Sequence, residues 1–209
     1  MTCVVGIRGR SGVLLAGDSQ FSDWNAKIMA EDPKAFELSE VVAIAYCGSG
    51  RLGQILTYHM DQLDSPPLGM DEHRWAVRYF IEHLRVVLDA TGHLHVWRNI
   101  EHLGASAFLL AVRGRLFNVY EDFEVLEHQR IFSALGSGDE VAIGAMAAIL
   151  GNKDVREPIA DGRLEEVAMA GVRAASDFTN YVGGDTRIVR TVNFTADEKA
   201  LARRIAGRR

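Results

Sequence analysis

Thr2-Cys3-Val4-Val5-Gly6-Ile7 is an apolar run that begins one residue after Met1. Removing that methionine, which is trimmed efficiently only before small residues, leaves a threonine as the chain terminus. A terminal threonine carries a hydroxyl and an α-amine on adjacent atoms. The amine has an ordinary pKa of roughly 7.7–8, so it is a base poised near cellular pH that can deprotonate its neighbouring hydroxyl. An acid–base pair of this kind needs no histidine.

Working outward, the run reads as a strand over 2–8, and Arg10-Ser11-Gly12 turns the chain into a second strand over 13–18. Further strands are predicted over 35–38 and 41–47. Helical spacing then takes over 50–63 and stops at Ser65-Pro66-Pro67, and a second helix is predicted over 72–89, ended by Thr91-Gly92. Strands return over 106–113, 115–120 and 129–135, with a tight turn at Arg113-Gly114. Two alanine-rich helices over 139–150 and 164–177, a strand over 187–194 and a helix over 196–206 complete the order. Thr195 with Glu198 three residues on makes a capping box.

Hairpin-connected strands imply two mainly antiparallel sheets, and the two helical pairs imply a layer on each outer side. The fold class expected is α+β, with the whole chain, 1–209, as one domain free of repeats and low-complexity linkers. Nearly half of the residues are apolar and mean hydropathy is near zero, as for a soluble globular chain. The longest apolar stretches, 41–47 and 107–112, fall far short of the ~20 residues that span a bilayer. No secretory signal is visible, and Cys3 and Cys47 sit in strand-like runs as buried thiols, so a cytoplasmic location is expected. A net charge of −5 offers no nucleic-acid face; the basic cluster of Arg203, Arg204, Arg208 and Arg209 reads as a solvated helix.

With Thr2 as the first mature residue, several spacings fall into register. Leu15-Ala16-Gly17-Asp18-Ser19 ends the second strand, Lys34 follows in Asp32-Pro33-Lys34-Ala35-Phe36, and Gly48 follows the fourth strand. Ala134-Leu135-Gly136-Ser137-Gly138-Asp139 opens a helix, and Asp177 closes an alanine-rich one. Together these resemble the proteasome β-subunit and HslV peptidase family of Ntn-hydrolases, over about 2–56 and 106–192. The resemblance implies a four-layer αββα sandwich and a threonine peptidase cutting unfolded polypeptides. It gives Thr2 as nucleophile, Asp18 and Lys34 as the ion pair beneath it, Ser137 and Asp177 as orienting and relaying groups, Gly48 as the oxyanion-hole glycine and Tyr46 as a lining of the substrate pocket. It implies a homo-oligomeric double ring, no cofactor or metal, and a separate ATP-dependent unfoldase, since no phosphate-binding loop occurs in this chain. Asn180 departs from the family, which usually has a serine there; it still donates and accepts hydrogen bonds.

The chemistry gives each position a reason. A nearby ammonium disfavours a second positive charge, so Lys34 keeps the terminal amine neutral. A buried lysine needs a carboxylate, and Asp18 is its partner. Rival readings of the same residues are a catalytically silent ring-forming scaffold and an Ntn amidohydrolase acting on a small amide. Gly48-Ser49-Gly50-Arg51-Leu52-Gly53 matches a dinucleotide fingerprint, but the required second strand and acid are missing after the helix. His93, His95 and His102 lack a carboxylate or cysteine at ligand spacing and read as surface or subunit-contact residues. Trp75, Tyr79 and Trp97 are candidate intersubunit contacts.

Overall fold

Cys3–Arg8 (β1) and Val13–Asp18 (β2) pair antiparallel as the hairpin that the opening run predicts. The computed structural model describes residues 2–23, 26–60, 62–151 and 156–198. After a short hairpin of Gln20–Asp23 (β3) and Ala26–Met29 (β4) come Ala35–Ser39 (β5) and Val42–Cys47 (β6). Gly50–Tyr58 (α1) is capped by Ser49. A continuous helical stretch follows: Glu72–Trp75 (α2), a π-helical turn over Ala76–Phe80, and Ile81–Ala90 (α3). A second hairpin, His95–Trp97 (β7) and Ile100–His102 (β8), leads to Ala107–Val112 (β9), Arg115–Val119 (β10), Val125–Glu127 (β11) and Phe132–Gly136 (β12). Asp139–Ile149 (α4), Leu164–Phe178 (α5) and Thr186–Arg190 (β13) follow.

Two antiparallel sheets carry the molecule, one ordered β12-β1-β2-β13 and the other β11-β10-β9-β6-β5. The strands read as unbroken apolar runs because both faces of each sheet are covered, and strand periodicity sends alternate side chains to different cores. Cys3, Val5, Ile7, Leu14 and Ala16 pack with Val167, Val172 and Met146 of α5 and α4. Val4, Val13 and Leu15 point the other way and meet Ala43, Ala45, Leu109 and Ala111 of the second sheet. On that sheet's far face, Ile44, Tyr46, Phe108 and Leu110 pack against Leu52, Leu56, Phe80 and Leu84 of α1 and of the helical stretch after it. Helices therefore pack on the outer face of each sheet, and small alanines line the zone where the sheets meet.

Several elements differ from the sequence reading. The two short hairpins were not predicted: their strands are only three or four residues long and carry no period-two apolar pattern. The first helix stops at Tyr58 rather than at 63. Trp75, expected at a subunit contact, is 2% exposed and packs on Phe80 in the core, whereas Tyr79 and Trp97 are exposed. The capping box forms: Thr195 N donates to Glu198 Oε2 at 2.9 Å, and Glu198 N donates to Thr195 Oγ1 at 3.2 Å. The rest of that predicted helix, with the terminal arginines, lies outside the described residues. Among the described residues no helix is long and apolar enough to cross a membrane.

Candidate active site

The strand entry at Thr2 is fixed by a buried polar knot. Asp18, 1% exposed at the end of β2, accepts four hydrogen bonds. Its Oδ1 takes Cys3 N and Lys34 Nζ, each at 2.9 Å. Its Oδ2 takes Gln20 N at 3.2 Å and Gly183 N at 3.3 Å. Lys34 is also 1% exposed; it donates to the Gln20 carbonyl and lies 4.8 Å from the centre of the Phe21 ring. Burial pushes the Lys34 pKa below its ordinary value, and the Asp18 carboxylate opposes that shift. Both Asp18 oxygens and two of the three Lys34 donors are thus engaged, which is what makes a buried charge tolerable.

Thr2 is 4% exposed, and its nitrogen donates to Ser137 Oγ at 3.2 Å. Ser137 Oγ in turn lies 3.4 Å from the Thr2 carbonyl, which also accepts from Gly138 N at 3.4 Å. Gly136 makes this approach feasible: at φ +107° a side chain is disfavoured, and a Cβ there would stand 2.2 Å from the Thr2 carbonyl and 3.5 Å from Cys47 Cβ. The start of β1 and the end of β6 therefore meet across Gly136, bringing Gly48 to the same place. Gly48 sits at φ +99°, and a Cβ on it would come within 2.5 Å of the Ala105 carbonyl and of Ser106 Oγ. Ser106 Oγ accepts from Ser49 N at 3.0 Å and fixes the loop from outside.

The other expected residues are placed differently. Tyr46 is 3% exposed, and its ring lies over Gly53 of α1, where an added Cβ would be 1.9 Å from Cζ. Burial pushes its phenol up to about 12, and only about 10 Å³ of space remains beside it. Asp177 is exposed near the end of α5, and no hydrogen bond or ion pair joins it to Thr2 or Ser137 among the described residues. Asn180 contributes its carbonyl, 3.4 Å from Gln20 Nε2. Cys3 is pushed up to about 12, by burial first and then by Asp18, and Cys47 to about 11 by burial, so neither is a thiolate nucleophile at neutral pH.

Gln20, Gly183 and Ser106 are the site members that the sequence reading missed. A glycine pair after a helix signals a turn, but nothing in one sequence says that its amide will reach a carboxylate 165 positions away. Two clefts flank the site. One of about 430 Å³ opens beside Asp18 and Lys34, with Glu31, Asp32, Asp185 and Arg187 on its walls. The other, about 530 Å³, opens beside Cys47 and Ser106, with Glu121, Asp122 and Glu124 on its walls.

No family model and no curated protein matches the sequence. Solved structures do. BPH of Thiobacillus denitrificans, in complex with epoxomicin, aligns over 92% of this chain and 100% of its own at a TM-score of 0.69 and 24% identity. The eukaryotic HslV of Trypanosoma brucei aligns over 91% and 99% at a TM-score of 0.63 and 15% identity. The fold is that of the proteasome-like Ntn-hydrolases. An Anbu mutant from Hyphomicrobium sp. strain MC1 extends the likeness to 99% of this chain and 94% of its own, at a TM-score of 0.65 and 13% identity. In the proteasome-like fold of this chain, the first strand, its hairpin partner and the turn before α4 converge on Thr2, as the geometry above describes.

Proposed function

We propose that the chain is a threonine-type endopeptidase, hydrolysing peptide bonds of unfolded polypeptides with Thr2 after Met1 is removed. The observation that carries this is the Thr2 nitrogen at 3.2 Å from Ser137 Oγ, at the strand entry that the buried Asp18–Lys34 pair anchors. The stacking of helices on both outer sheet faces is read as the four-layer αββα sandwich of a single domain. While Met1 is attached, the Thr2 nitrogen is an amide and no base. Once freed, the amine hydrogen-bonds to Ser137, and the Lys34 charge favours its neutral form.

In the proposed reaction the amine takes the Thr2 hydroxyl proton as Oγ1 attacks the scissile carbonyl. The amide of Gly48 faces the oxyanion of the tetrahedral intermediate, a contact generally worth about 2.7–4 kcal/mol. The ammonium passes its proton to the leaving nitrogen, leaving an ester on Thr2. Water, deprotonated by the same amine, then releases the acid and restores Thr2. These steps call on no cofactor. Asp177 completes the set; a relay through it requires its carboxylate to reach Ser137, a bond that the described residues do not make. A filled space around Tyr46 favours a small side chain before the cut.

Assembly into a homo-oligomeric double ring in the cytoplasm, fed by a separate ATP-dependent unfoldase, belongs to the same proposal, as does reaction with epoxomicin, which the similar BPH binds. A second reading, a silent scaffold of this fold, is favoured by the burial of Thr2 and by the small space at Tyr46. Hydrolysis of an unfolded protein such as reduced casein by the purified chain separates the two. The peptidase reading expects cleavage that Thr2→Ala abolishes; no cleavage by the Met1-free chain supports the scaffold.

A further inference from the structure

We infer that the His102–Gly104 turn is a pH-dependent latch on the loop carrying Gly48, closed when His102 is neutral and released when it is protonated. This rests on the reading of Gly48 as the oxyanion glycine. The latch is a short chain of contacts. Gly104 N donates to His102 Nδ1 at 3.0 Å, a bond that an imidazolium, with both nitrogens protonated, cannot accept. Gly104, at φ +69°, hands the chain to Ala105 and Ser106. The Ala105 carbonyl and Ser106 Oγ are the groups against which Gly48 is packed, and Ser106 Oγ holds Ser49 N. Leu103 N, donating to the Glu121 carbonyl at 2.7 Å, pins the other side of the turn.

The turn is packed beneath a column of imidazole rings. His102 stacks on its cross-strand partner His95 with ring centres 5.4 Å apart, and His95 meets His93 edge-on at 5.2 Å. A Cβ added at Gly104 would lie 3.2 Å from His95 Nε2, so the column of rings packs directly on the turn. Of the charged groups nearby, Arg51 of α1 acts on His93, and Glu101, next to His102 on β8, is held by Arg85 of α3, which also binds Glu82. Burial, then His95 and Arg51, push His93 below the ordinary imidazole value, so the innermost ring resists a charge. Among the described residues no group of three or more His, Cys, Asp or Glu is arranged to hold a metal ion.

Hydrogen exchange of the 100–107 segment, followed by mass spectrometry at about pH 7.5 and about pH 5 and corrected for intrinsic exchange, reads the latch directly. The comparison protein is His102→Asn, whose Oδ1 accepts the Gly104 bond without titrating. Protection should fall by about tenfold at the lower pH in the unsubstituted chain and hold in His102→Asn. Equal loss in both, or none in either, overturns the latch. His95→Asn guards against a misfolded first variant: it removes the stacked ring but keeps the His102 acceptor, so it should lose protection at the lower pH as the unsubstituted chain does, and protection that holds there counts against His102. Peptidase assays on the Met1-free proteins separate this inference from the one beneath it. A protection difference without activity at any pH leaves the latch and removes the oxyanion reading. Activity that declines in acid identically in both proteins does the reverse.

Discussion

Lys34 and Asp18 are the residues on which the strand entry at Thr2 depends, since one carboxylate oxygen holds both the ammonium and the first strand amide, Cys3 N. Replacing Lys34 by methionine leaves Asp18 charged, buried and short of a partner. A loss of about 3–5 kcal/mol in chemical denaturation is expected, and a loss below about 1 kcal/mol would contradict the buried-pair account. Tyr46 and Gly53 offer a second test because they share one volume. Gly53→Ala forces the phenol aside and should cost about 1–3 kcal/mol. In a Tyr46→Ala background the same change should be near neutral, and additive costs in the double-mutant cycle would show that the two do not compete. Asp18, Lys34 and Gly48 stood out only through their register with Thr2, because an aspartate or a glycine at a strand end is by itself common in turns. Gln20 and Ser106 were not, because they act through a backbone carbonyl and a hydroxyl that any exposed loop residue also carries.

The C-terminal segment is the element whose attachment is most open to measurement. Arg113, in the turn between β9 and β10 and 5% exposed, donates to Glu198 through both terminal nitrogens, at 2.8 and 2.7 Å, and to the carbonyls of Asn193 and Pro66. The Arg113 guanidinium, followed by the Thr195 amide, holds the Glu198 carboxyl down at about 2, against an ordinary 4.5. A carboxyl with a lowered folded-state pKa stabilises the fold above its unfolded value, and that contribution is lost as pH falls from about 4.5 to about 2. Glu198→Gln should therefore lower the melting temperature at neutral pH and have little effect near pH 2; an equal effect at both would assign the loss to packing. His93 runs the same way at higher pH. A histidine held below its ordinary value favours the fold while neutral, so stability falls as pH drops below about 6.5 towards its folded-state value. The long elements of the fold were legible from periodicity. The β7–β8 hairpin was not, since three-residue strands are too short to show alternation, and spacing alone did not announce the π-helical turn over Ala76–Phe80.

At the scale of the whole molecule, the two-sheet stack explains why so much apolar sequence could be read as strand without being assigned a face. Val4 and Val5 look alike in the sequence and enter different cores because β1 is covered on both sides. Tyr58, Tyr79, Val86 and Trp97 are exposed on the outside, Tyr79 and Trp97 as the sequence reading of a subunit contact requires. The proposed ring accounts for them. Native mass spectrometry is expected to find an assembly well above the 23.0 kDa of one chain, whereas a stable monomer or dimer would favour the amidohydrolase reading. The central claim, a competent nucleophile at Thr2, is tested most directly by the intact mass of the purified protein before and after incubation with epoxomicin. The account predicts loss of the Met1 mass and one covalent adduct that Thr2→Ala abolishes; retention of Met1 with no adduct would contradict it.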